Sequence, residues 1–119
     1  MTRQELTHTR DLTMSSWIRK NLPDSKIGYL VSDLDFILFN YKTKKIMFLE
    51  VKTRGATIKI WQRDLFKNLN KWILKGISDD WIYLGFHLLC FEKTCFTDGR
   101  AYFDNKIISE DEFIKKLTF

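Results

Sequence analysis

The rhythm of apolar and polar positions divides this chain into helical and extended segments. A first helix is predicted somewhere within 3–22, with a break near Thr13, and "NLPD" around the only proline, Pro23, ends it. "IGYLVSDLDFILFN" is rich in β-branched and aromatic residues and predicts one or two strands. The polar turn "YKTKK" leads into "IMFLEVK", a further strand paired as a hairpin. Side chains alternate along a strand. Ile46, Phe48, Glu50 and Lys52 therefore share one face, and Met47, Leu49 and Val51 the other. After the loop "TRGAT", apolar residues at Trp61, Leu65, Leu69, Trp72 and Ile73 recur at helical spacing from Ile58 to about Lys75. "WIYLGFHLLCFE" is apolar enough for a central strand, "TDG" is a turn, and "RAYFDN" a short strand. "SEDEF" opens a last helix. Ser109 and Glu112 form a capping box there, and Phe113, Ile114 and Leu117 would dock the helix.

The predicted order is helix, three strands, helix, two strands, helix. It implies an α/β fold: a central mixed sheet of about four or five strands flanked by helices. The 119 residues fit a single domain spanning 1–119.

Composition narrows the class. Hydrophobic residues make up 45% and aromatics 15%, enough for a core. The longest uncharged apolar stretch, Trp81 to Phe91, is too short to span a bilayer, so no membrane partner is expected. The N-terminus has no apolar core of the kind a signal peptide needs. Cys90 and Cys95 show no zinc or disulfide pattern and read as reduced thiols, which predicts a cytoplasmic location. Net charge is +5, and its distribution is uneven. Residues 41–75 carry ten basic residues against two acids, Glu50 and Asp64. Lys59, Arg63, Lys67, Lys71 and Lys75 recur every fourth residue on the predicted helix. Such a concentrated basic surface suits a polyanion, most often nucleic acid; otherwise it is a solvated lysine-rich face.

The acids matter against that background. Asp33 and Asp35 share a face at the opening of one strand, and Glu50 lies near the end of the next. If the strands pair, an aspartate meets Glu50. Two converging carboxylates suit a hard cation such as Mg²⁺, which takes one or two carboxylates plus waters and phosphate oxygens. Lys52, on the Glu50 face, can contact a phosphate and an attacking water. Asp33 and Asp35 also read as turn residues before a strand, and Glu50 with Lys52 as an exposed pair at a fraying end. The apolar residues around Glu50 weigh against exposure, and a buried carboxylate needs a partner.

The pattern Asp35-FILF, turn, Phe48-Leu-Glu50-Val-Lys52 resembles the PD-(D/E)XK nuclease superfamily. The likeness covers most of the chain: a leading helix, the hairpin, a crossing helix and a further strand. It implies a restriction-endonuclease-like core and Mg²⁺-dependent hydrolysis of phosphodiester bonds, with Mn²⁺ able to substitute. By that resemblance Asp35 and Glu50 hold the metal, Glu5 or Asp33 assists, and Lys52 positions the attacking water. Glu5 is the sole glutamate before Glu50, where the family places one on its first helix. Members similar to RecB and lambda exonuclease add a glutamine on the following helix with an aromatic residue four later, and Gln62 and Phe66 have that spacing. Gln62 would then orient Lys52 or the phosphate. The proline of the family name is absent, which leaves both Asp33 and Asp35 open as the ligand.

The expected substrate is DNA, with RNA not excluded. Arg54, Lys59, Arg63, Lys67 and Lys71 would track the phosphate backbone without reading sequence. Structure-selective or weakly specific cleavage follows, as in a junction resolvase, a recombination or repair nuclease, or a mobile-element or phage endonuclease in a prokaryotic cytoplasm. Junction cleavage needs two sites and hence a homodimer. The competing reading is a non-enzymatic nucleic-acid-binding module, followed by an inactive nuclease fold used as an accessory protein. His87, in an apolar run, reads as a satisfied core histidine rather than a ligand.

Overall fold

The computed structural model of the chain describes residues 13–28 and 30–119. They belong to two compact units, residues 1–32 and 33–119. In the first, α1 spans Thr13–Asn21. The Leu22 amide still donates to the Ile18 carbonyl, and Pro23 then stops the helix, as its missing N–H dictates. The part of the predicted helix before Thr13 lies outside the described residues, and with it Glu5 and its proposed place among the ligands.

The described residues between Ile27 and Asp35 form no strand. Asp24 accepts from the Lys26 amide at 2.8 Å and starts a single 3₁₀ turn over Ser25–Ile27. Gly28 follows at φ +94°, a conformation open to glycine, and residues 30–34 have no regular structure. Local turn chemistry outweighs β propensity here.

The second unit holds a five-stranded mixed sheet in the order β1-β2-β3-β4-β5. Its strands are β1 (Phe36–Asn40), β2 (Lys45–Lys52), β3 (Ile82–Phe91), β4 (Ala101–Phe103) and β5 (Lys106–Ile107). β1 and β2 form the expected antiparallel hairpin, with Phe36 opposite Leu49 and Asn40 opposite Lys45. The Asn40 side chain closes the turn by accepting from the amides of Lys42 and Thr43. β2 and β3 run parallel, joined by α2 (Ile60–Gly76), and β3, β4 and β5 continue antiparallel. "RAYFDN" is therefore not one strand. Asp104 and Asn105 both have positive φ, 51° and 69°, and make a two-residue hairpin turn that adds β5.

Each sheet face carries a helix. Leu49, Leu89, Phe91 and Phe103 form the core on one face, with Phe113 and Leu117 of α3 (Glu110–Leu117) packed on it. The capping box forms as the sequence predicts: Ser109 Oγ accepts from the Glu112 amide, and Glu112 accepts from the Ser109 amide, both at 3.2 Å. Ile114 points away and is exposed. On the other face, Phe66 of α2 stacks on Phe86 of β3 at 4.1 Å between ring centroids. The buried stripe of α2 contains Gln62 and Phe66, whereas Trp72 is 57% exposed. Relative to the apolar periodicity, the helix is turned so that a glutamine faces the sheet. Among the described residues no helix is long and apolar enough to cross a membrane.

Candidate active site

The β1–β2 register explains how the acids meet. The pairing of Phe36 with Leu49 puts Asp35, one step beyond the ladder, at the position opposite Glu50. Asp33, in the irregular segment before β1, lies near enough to raise the Glu50 pKa through its charge. Directly opposed residues of an antiparallel pair present their side chains on one face. Asp35 is anchored there because its Oδ2 accepts from the Val51 amide at 2.8 Å.

Glu50 is the most buried charged group described, only 2% exposed, in the middle of the sheet between β1 and β3. Gln62 Nε2 donates to Glu50 Oε2 at 3.1 Å. The glutamine is itself buried, so this amide is aimed at the carboxyl rather than at solvent. Gln62 thus holds Glu50, a partner beyond the Lys52 or phosphate that the family resemblance implies. Burial foremost, then a hydrogen bond to Asp35 and its charge, push the Glu50 carboxyl up to about 8; the Lys52 ammonium pulls the other way and Asp33 adds to the rise. Two carboxyls in contact do not both ionise readily. A cation bound between them would offset the repulsion that raises Glu50.

The donor set fits a hard divalent cation. Asp35 and Glu50 supply carboxylate oxygens from two adjacent strands, and Mg²⁺ needs no more than one or two such ligands beside water and phosphate. Among the described residues no three His, Cys, Asp or Glu side chains form a ready-made cage, so substrate and solvent would have to complete the coordination. Lys52, half-buried, follows Glu50 by two residues on the same face.

The other predicted basic residues lie on the turn after β2 and along α2. Arg54 lies in the turn after β2, at φ 55°, with its amide donating to the Lys93 carbonyl. Lys59 occupies the N-cap of α2, and Arg63, Lys67 and Lys71 follow along it; all are exposed. Asn70, four residues after Phe66 on the Gln62 stripe, and Asn105 in the β4–β5 turn line one cavity with Arg63 and Lys67, and the sequence singles out neither. His87 is satisfied, as predicted. Its Nδ1 meets Asp104 Oδ2 and its Nε2 the Leu84 carbonyl, each at 2.6 Å, while the ring stacks on Phe103. Cys90 and Cys95 are free thiols.

No protein-family model and no solved structure matches the chain. It is similar to an uncharacterized protein of Archaeoglobus fulgidus, with 30% identity over 112 residues that cover 88% of this chain and 74% of the relative.

Proposed function

This chain belongs to the same family as the Archaeoglobus fulgidus protein, and we propose that it is a metal-dependent nuclease that hydrolyses phosphodiester bonds in DNA. The observation that carries the reading is the register: Asp35 stands opposite Glu50, with Lys52 on the same face. The hairpin, the crossing helix and the parallel β3 are consistent with a restriction-endonuclease-like core of the PD-(D/E)XK kind.

Asp35 and Glu50 would hold Mg²⁺, or Mn²⁺ in its place, with Asp33 close enough to affect the charge on Glu50. Bound there, the cation supplies positive charge against the charge that develops on the phosphate. Gln62 fixes the rotamer of Glu50 through its amide, so that the free carboxylate oxygen points in a set direction. Lys52 orients the attacking water and stabilises the phosphate oxygens with its ammonium. Water would add to phosphorus as it gives up a proton to solvent, one P–O ester bond would break, and the leaving oxygen would take up a proton from solvent, leaving a phosphate monoester and a hydroxyl end. Arg54, Lys59, Arg63, Lys67 and Lys71 hold the backbone, which gives affinity without sequence information.

The exposed α2 ridge also favours a second reading, a binding module without turnover. Supercoiled plasmid and branched oligonucleotides incubated with Mg²⁺, Mn²⁺ or EDTA separate the two. Cleavage that needs the cation and disappears in Asp35→Asn and Glu50→Gln supports the nuclease. Salt-sensitive binding with no cleavage under either cation leaves the module.

A further inference from the structure

On the Glu50 face of the sheet, α2 and the β4–β5 turn form two walls of a cleft of about 500 Å³. Small-ligand sites span about 300–1,000 Å³. The floor is apolar, built from the stacked rings of Phe66 and Phe86 with Leu88 beside them. The α2 wall presents Arg63, Lys67 and Asn70, and the opposite wall presents Asp104 and Asn105. Leu88 is the register partner of Glu50, and Gln62 stands one helical turn before Phe66, so the cleft adjoins the acid pair.

We propose that this cleft takes one unpaired nucleotide beside the phosphate held at Asp35 and Glu50, which makes the substrate a nucleic acid with an unpaired position. The inference rests on the nuclease reading above. Arg63 and Lys67 match a phosphate, and the partly buried Phe86 and Leu88, backed by Phe66, give an apolar floor on which a base can lie. The amides of Asn70 and Asn105 each combine a donor with an acceptor, which is what a base edge requires. Within a duplex both the faces and the pairing edge of a base are occupied, so a base must leave the stack to reach such a pocket.

The far wall is preorganised. The Asp104 amide donates to the Leu88 carbonyl at 2.9 Å, and Asp104 Oδ1 accepts from the Leu88 amide at the same distance. Its second carboxylate oxygen meets His87. Both oxygens of the one acid in the wall are thereby engaged, which limits its repulsion of a phosphate. Asn105 is carried on this fixed turn, so little ordering is left to binding.

The test uses the full chain carrying Glu50→Gln, in EDTA, so that binding is measured without cleavage. The ligands are a duplex carrying one paired 2-aminopurine, the same duplex with that 2-aminopurine unpaired, and the free mononucleotide. The unpaired probe should change its fluorescence on binding and the paired one should not. Adding Asn70→Ala with Asn105→Gly, a pair that keeps the turn's positive φ available, should weaken the unpaired ligand roughly tenfold, the cost of a lost base contact. The paired duplex should lose less than about twofold, because its phosphate contacts remain. Equal loss on both duplexes, no loss on either, or an unresponsive probe overturns the cleft. Mononucleotide binding as tight as the unpaired duplex overturns the strand as its source. If the probe responds while the unsubstituted chain never cleaves, the nuclease reading fails and the cleft stands.

Discussion

Asp35 and Glu50 face each other across the open end of the β1–β2 hairpin, and the aspartate is tied to its neighbour strand by the Val51 amide. An acid pair held this way repels itself unless a proton or a cation intervenes. Mg²⁺ should therefore raise the melting temperature of the unsubstituted chain by mass action. Glu50→Gln and Asp35→Asn should each remove most of that rise, as read by thermal denaturation with and without EDTA. Equal rises in all three proteins would place the cation elsewhere.

Gln62→Ala should act through Glu50. Loss of an outer partner costs about 10–100-fold in metal affinity or activity. Cation titrations followed by melting temperature should show the weaker affinity, while duplex binding in EDTA stays unchanged.

Phe66 is 5% exposed and stacks on Phe86. Phe66→Ala should destabilise the chain by about 3–5 kcal/mol, the usual range for an aromatic lost from a core. Urea unfolding measures it.

Gly85 sits at φ +96° where β3 gains one residue relative to β2, between the Ile46–Tyr83 and Phe48–Phe86 pairs. A Cβ there would lie 3.2 Å from His87 Nε2. Gly85→Ala combines backbone strain with that close contact and should cost about 1–3 kcal/mol.

The His87 ring faces two acceptors, so the fold favours the imidazolium. Its hydrogen bond to Asp104 raises its pKa above 6.5 despite burial. Burial works against ionising Asp104, yet His87 and the Leu88 amide hold its carboxyl below 3.8. For His87 the stability is complete below pH 6.5 and is lost as pH rises through the raised value. For Asp104 it is present above pH 3.8 and is lost as pH falls through the lowered value. Melting temperature should fall as pH rises through the raised His87 value in the unsubstituted chain, and less so in His87→Gln.

Patterns that depend on neighbours in sequence were readable before any coordinates. The alternation through Phe48, Glu50 and Lys52, the Ser109 capping box and the Gln62–Phe66 spacing are all local, and all appear in the fold. What the pattern misplaced depended on competition or on distance. Ile27 looked like strand, but the Asp24 turn and Gly28 won over its propensity. Trp72 looked like core, but the buried stripe of α2 is set by where Phe86 and Glu50 lie on strands remote in sequence. Asn105 reaches the cleft only because the hairpin turn is pinned to Leu88.

Asp35, Glu50, Lys52 and Gln62 all come from one continuous piece of chain, the hairpin and the first turn of the helix that follows it. The Asn105 turn comes from a separate, later piece. The far wall of the proposed cleft can therefore vary apart from the acid pair, whereas its α2 wall, with Asn70, belongs to the same helix as Gln62. On the nuclease reading, exchanging the Asn105 turn would alter the proposed cleft and leave Asp35, Glu50 and Lys52 in place.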